Sequence, residues 1–259
     1  MSKALVTGAG KRLGRAMALY LGERGYDVAV HYASSDEGAA EVADLIRAKG
    51  QKACTLQADL LDEDETQGVI AGAVDGLGGP LTVLVNNASI FEYDNLQSAS
   101  RQSWDRHFDS NLRAPFVLTQ RFAAQLPEPE RDAGDEPEAP GLIVNMIDQR
   151  VRKLTPEFMT YTLAKMGLWT LTQTAAQALA PQCRVNAIGP GPTLRGARQS
   201  PAHFAAQRAG TILERGADPD DITAALGYFL DAKAVTGQLM CVDGGQHLAW
   251  QTPDIVGVE

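Results

Sequence analysis

Along the 259 residues, short apolar runs alternate with longer stretches in which apolar positions recur every three or four residues. The runs at 4–6, 27–30, 53–56, 81–85, 142–146, 184–187 and 239–242 are too short for helices and read as strands buried on both faces. Between them the spacing predicts helices: one that opens after a glycine-rich turn and runs to about residue 23, one over 36–48 with Gly50 as its stop, and others over 63–74, about 103–124 and 156–179. Strands that alternate with helices imply right-handed crossovers. The expected class is therefore α/β, a doubly wound parallel sheet of about seven strands with helices on both faces.

Composition agrees with one large core. With 44% hydrophobic residues and no internal repeat, the whole chain, 1–259, is expected to be a single domain. The one break in composition is 127–140, "PEPERDAGDEPEAP". Its six acids and one arginine carry −5 of the net charge of −9, and its prolines make it a poor helix or strand, so it reads as a solvated excursion. The acidic balance argues against nucleic acid or an anionic membrane surface as partner and leaves a small molecule. No apolar run is long enough to span a bilayer, and the chain reads as cytoplasmic. Cys54, Cys183 and Cys241 are expected as reduced core thiols, and neither they nor the four histidines show metal-ligand spacing, so no metal is expected.

The first candidate site is the turn "TGAGKRLG". Gly8, Gly10 and Gly14 lie between a strand and a helix, where a tight turn and a free helix N-terminus cradle a pyrophosphate. In that context the sheet is expected to be of the Rossmann type. Lys11 and Arg12 lie inside the turn, with Leu13 after them. The second strand ends in His31, Tyr32, Ala33, Ser34 and Ser35, with no acid before Asp36, which reads better as a first-turn helix residue. An acid there would bind a ribose 2′-hydroxyl, so hydroxyls beside Lys11 and Arg12 favour NADPH over NADH.

"TGAGKRLG", "NNAS" at 86–89, Asn111, Tyr161 four residues before Lys165, and "RVNAIGPGPT" at 184–193 together resemble the short-chain dehydrogenase/reductase family over essentially the whole chain. Three features resemble its pteridine reductase branch: Arg12 where most members have glycine, Phe91 shortly after the fourth strand, and Asp148 where most have a catalytic serine. The resemblance implies that Tyr161 donates the proton, that Lys165 contacts the nicotinamide ribose and lowers the tyrosine pKa, and that Asn111 orders a proton-relay water. Asp59, with Leu60, would meet the adenine. Asn87, Ala88 and the 189–193 segment, including Pro190, Gly191 and Thr193, would line the cofactor. Ser89, Arg12 and Phe91 would contact a pterin, with Phe91 stacking it. The branch's arginine in the 2′-phosphate loop is replaced by Ser34. Residues 192–215 are expected to form a substrate lid, and the family implies a homotetramer.

Asp148 constrains the chemistry. A serine there donates to a carbonyl oxygen as it becomes an alkoxide; an ionised carboxylate does the opposite. A C=N acceptor fits better, because a carboxylate stabilises a cationic acceptor or holds the tyrosine proton, and it accepts hydrogen bonds from an aminopyrimidinone ring. The leading reading is an NADPH-dependent dihydropterin reductase. Its rivals are a carbonyl reductase with Asp148 protonated or bypassed, and a non-catalytic NADP(H)-binding protein.

Overall fold

The computed structural model describes residues 2–196 and 199–251, so part of the expected lid, residues 197 and 198, lies outside the described residues. In chain order the elements are β1 (Lys3–Val6), α1 (Arg12–Glu23), β2 (Asp27–Tyr32), α2 (Asp36–Ala48), β3 (Ala53–Gln57), α3 (Glu63–Leu77), β4 (Val83–Asn86), α4 (Arg101–Phe108), α5 (Ala114–Ala124), β5 (Glu130–Arg131), β6 (Pro137–Glu138), β7 (Gly141–Met146), α6 (Met159–Ala178), β8 (Cys183–Pro190), α7 (Pro201–Ala209), α8 (Pro219–Asp231) and β9 (Leu239–Val242).

Seven strands form one sheet in the order β3-β2-β1-β4-β7-β8-β9, every pair parallel. The winding reverses between β1 and β4, and in such sheets a crevice opens there at the carboxyl ends of the strands. The strands are apolar on both faces because helices cover both. Ala4, Val6, Val83, Val85, Leu142 and Val144 face Met17, Val42 and Leu226 of α1, α2 and α8. Their neighbours Leu5, Leu84 and Ile143 face Ile70, Leu118 and Ala175 of α3, α5 and α6. One residue of register would exchange the two sets, and that pins the pairing.

Local differences from the pattern have physical reasons. The helix expected from 103 starts at Arg101, behind a Ser100/Ser103 capping box, and is interrupted by a π-helical turn at Asp109–Arg113. The helix expected from 156 starts at Met159, because Phe158 before it is left-handed (φ 58°). Helices α7 and α8 were not foreseen, although Pro219 behind the Asp218 capping box is a start signal. The acidic excursion holds one exposed two-residue antiparallel pair, β5 with β6, where no strand was expected. The three cysteines are free, but only Cys183 is fully buried; Cys54 and Cys241 are half-buried.

Candidate active site

The crevice at the switch point is a cleft of about 650 Å³. Gly8, Gly10, Lys11, Arg12, Leu13, Gly14, His31, Tyr32, Ser34, Ser35, Asp59, Leu60, Asn87, Ala88 and Ser89, all expected at the cofactor, line it. Pro190, Gly191 and Thr193 are not among its lining residues; they lie at the end of β8 and just after it. Gly8 has φ +62°, a conformation side chains resist. A Cβ on Gly14 would stand 2.2 Å from the Gly8 carbonyl oxygen and 2.5 Å from Asn87 Nδ2, so only glycine lets α1 approach the turn this closely. Asn87 Nδ2 donates to the Thr7 and Gly8 carbonyls (2.8 and 3.3 Å) and so ties β4 to the same turn.

The start of α1 is prepared for an anion. Its N-cap, Lys11, makes no side-chain capping bond, and its first turn holds no acid. Elsewhere Asp62 and Ser100 cap α3 and α4. Among the described residues the N–H groups at the positive dipole end of α1 therefore have no side-chain cap, which is what a dinucleotide pyrophosphate requires.

Two residues in the cleft also carry hydrogen bonds that the sequence did not show. His31 is buried. Its Nδ1 accepts the Gly8 N–H (3.1 Å), so its Nε2–H donates to the Ala58 carbonyl (3.1 Å). Both nitrogens are committed, and burial lowers its pKa to about 4, so the ring is a neutral bolt across β1, β2 and β3 as well as part of the cleft wall. Arg12, left-handed at φ 54°, sends its guanidinium across the cleft mouth. There it donates to the carbonyls of Leu194 and Arg195 (both 2.9 Å), which places it on the expected lid segment.

The residues expected to be catalytic converge from the end of β7 and from α6. The Tyr161 hydroxyl donates to Asp148 Oδ2 at 3.0 Å, and Asp148 Oδ1 accepts the Arg150 N–H at 2.8 Å. Lys165 Nζ donates to the Met146 carbonyl at 2.8 Å and stands 5.7 Å from the centre of the Tyr161 ring. Burial pushes the Asp148 carboxyl above its usual value, against the pull of the Arg150 N–H. Burial also lowers Lys165 to about 8. The Tyr161 phenol is pushed well above its usual value, by burial first and then by the charge and hydrogen bond of Asp148. Tyr161 is held as a neutral phenol.

Asn111 sits in the π-helical turn and is fully buried. Its Nδ2 donates to the Ile90 carbonyl (2.8 Å) and its Oδ1 accepts the Ile90 N–H (2.9 Å). The side chain clamps the loop after β4. Phe91, 45% exposed, stacks on Phe158 (4.3 Å between centroids, 13°) and meets Tyr161 edge-on (4.7 Å). Sequence reasoning missed Phe158, which had no motif to mark it. It also gave His107 no role, although that residue is fully buried and bonded to Thr160.

Fold and site together define an oxidoreductase of the dinucleotide-binding class. The family model for short chain dehydrogenases matches residues 2–203, and the chain belongs to that family. A crystal structure of FolM alternative dihydrofolate reductase 1 from Brucella suis, in complex with NADP, is similar at 43% identity, with a TM-score of 0.91 and 98% of each chain covered. The corresponding protein from Brucella canis, complexed with NADP, is 42% identical with the same TM-score, over 98% of this chain and 97% of that one. The 3-oxoacyl-[acyl-carrier-protein] reductase FabG of Staphylococcus aureus is 34% identical over 250 residues, 95% of this chain and 98% of that protein. Among the described residues, no helix is long and apolar enough to cross a membrane, and no cluster of potential ligands could hold a metal ion.

Proposed function

We propose that the protein is an NADPH-dependent reductase of dihydropterins that adds hydride and a proton across a ring C=N bond. The carrying observation is the Asp148 carboxylate, which accepts the Tyr161 hydroxyl at 3.0 Å where a carbonyl reductase keeps a hydroxyl donor. The two FolM structures, each crystallised with NADP, support the reading from outside the chain.

Bound NADPH would supply the hydride. The uncapped start of α1 and the turn with Gly8 and Gly14 would hold its pyrophosphate, and Lys11, Ser34 and Ser35 would meet the 2′-phosphate. Asp36, the first residue of α2, is spent at that helix's N-terminus. Asp59 and Leu60 line the cleft where the adenine would lie, and Asn87 and Ala88 line it nearer the catalytic end. Lys165, anchored on Met146, would reach the nicotinamide ribose.

Tyr161 would give its proton to the substrate nitrogen. While it waits, Asp148 holds that hydroxyl in place and so keeps the proton on the pair. As the nitrogen takes up that proton, the carboxylate would stabilise the iminium-like ring that then accepts the hydride, and would accept from the ring N–H groups. Ser89 and Arg12, at the edge of the cleft, would meet the ring, and Phe91 would stack on it.

Ketone reduction is the second reading. It is favoured by the FabG relatives and by the burial that raises Asp148 towards the protonated form able to donate to a carbonyl oxygen. NADPH oxidation followed over a panel of 7,8-dihydropterins, dihydrofolate and ketones separates the two: turnover of ketones alone overturns the pterin reading. We also propose a homotetramer. Trp104 on α4, Phe116 on α5 and Leu163 on α6 are 43%, 38% and 41% exposed and offer an apolar second face to those helices. A monomer by light scattering overturns that assembly.

A further inference from the structure

We infer that Asp94 is a positioning residue for the catalytic tyrosine, acting as a helix cap supplied in trans, and that His107 and Thr160 complete its hydrogen-bond chain. The inference rests on Tyr161 as proton donor and not on the identity of the substrate.

Helix α6 carries Tyr161 in its first turn, so the placement of that turn is the placement of the hydroxyl. The turn has no cap of its own. Its N-cap residue, Phe158, is left-handed, and the Phe158 side chain makes no capping bond. The free N–H groups of such a turn need acceptors. Asp94, in the loop after β4, provides them from 64 or more positions away in the chain. Its main-chain carbonyl accepts the N–H groups of Phe158 (2.7 Å) and Met159 (3.3 Å). Its carboxylate accepts the Thr160 N–H at 3.1 Å and the Thr160 hydroxyl at 2.5 Å. Asp94 is only 2% exposed, and a carboxylate at a helix N-terminus is favoured by the dipole as well.

The chain continues in one direction. His107 Nε2 accepts the Glu92 N–H (3.1 Å), which leaves the proton on Nδ1 to be donated to Thr160 Oγ1 (2.6 Å). Thr160 in turn donates to Asp94. The Glu92 carboxylate accepts two bonds from the Arg106 guanidinium, at 2.9 and 3.2 Å. The loop after β4, helix α4 and the start of α6 are thus joined through side chains directly behind Tyr161, whose ring lies 5.9 Å from that of His107. None of these groups touches the dinucleotide cleft except Arg106 at its rim. A loss of this network should therefore separate chemistry from cofactor binding.

The test is Asp94→Ala, with Asp94→Asn as rescue and Thr160→Val as a milder second cut. Each variant is titrated with NADPH by fluorescence and assayed with whichever ketone or 7,8-dihydropterin the wild type turns over. Tyr161 is also titrated directly by NMR of tyrosine labelled at Cζ, its signal assigned by loss in Tyr161→Phe. Misplacing a catalytic group by about 1 Å costs on the order of 10²-fold. Asp94→Ala should lower kcat by that factor and Thr160→Val by about tenfold, with the NADPH Kd held within about twofold. The Tyr161 titration should move in both. Asparagine, which still accepts the Thr160 N–H, should recover part of the loss. An unchanged Tyr161 titration in Thr160→Val, or parallel losses of NADPH binding and turnover in folded Asp94→Ala, would overturn the inference. The pterin reading fails separately, in the wild type, if only ketones are reduced; the NMR arm stands in either case.

Discussion

The two ends of the site are built on different principles. The cofactor end is main chain: a glycine turn, an uncapped helix start and strand ends, held by bonds such as that from the Gly8 N–H to His31. The catalytic end is side chain. Asp148 from the end of β7, Tyr161 and Lys165 from α6, Asn111 from a π-helical turn and Asp94 from a loop meet through hydrogen bonds between distant segments. The first end recognises a ligand part common to many enzymes, for which backbone N–H groups suffice. The second must set one proton against one bond, and burial shifts the ionisation of Asp148, Tyr161 and Lys165.

The sharpest way to test that division is to disable the chemistry alone. Tyr161→Phe removes the transferable proton and should reduce turnover about 10³-fold, as loss of a general acid does, while fluorescence titration still shows NADPH bound. If binding fell in parallel, the two ends would not be separable.

The next effect lies at the cofactor end and in its stability. The folded pKa of His31 is about 4, below its unfolded 6.5. The unfolded chain therefore binds the extra proton first. His31 costs nothing above pH 6.5, and stability is lost as pH falls from 6.5 towards 4, by about 3 kcal/mol in all. His31→Gln keeps a donor and an acceptor without a titrating ring. Its denaturation midpoint should vary less between pH 7 and 4.5 than that of the wild type; an equal slope would remove His31 from the account.

Gly14→Ala tests the main-chain principle itself. The added Cβ meets the Gly8 carbonyl at 2.2 Å, so α1 must retreat from the turn. NADPH binding should weaken more than tenfold by fluorescence titration, and unchanged affinity would show that the close approach is dispensable. Asp148→Ser then probes the other end and should slow dihydropterin reduction about tenfold in a steady-state assay; faster reduction would mean that the carboxylate argument is wrong. Smallest, Ser34→Arg restores a cation to the 2′-phosphate loop and should raise the preference for NADPH over NADH a few-fold in comparative kcat/KM, where no change would place the phosphate elsewhere.

The cofactor end was the more legible of the two because its signals are local. Gly8, Gly10 and Gly14 are close in the chain, and the unbroken apolar run Ala4, Leu5 and Val6 already implied a strand covered on both faces. Spacing alone also put Tyr161 and Lys165 on one helix face. What those residues do depended on neighbours far away in the chain. The bond from His31 to Ala58 and those from Arg12 to Leu194 and Arg195 join segments that no local pattern connects. His107 carried no motif at all, because its partners Thr160 and Glu92 belong to other elements.

The parallel sheet and the glycine turn were thus readable from the sequence, which also put Asp148, Tyr161 and Lys165 forward as a set, since periodicity and short motifs are local in the chain. Only the tertiary structure decided that Tyr161 stays a neutral phenol bonded to Asp148, that Asn111 is spent on clamping Ile90, and that Asp94 caps the helix of the catalytic tyrosine. Those outcomes follow from burial and from hydrogen bonds across the fold, and neither exists until the elements pack.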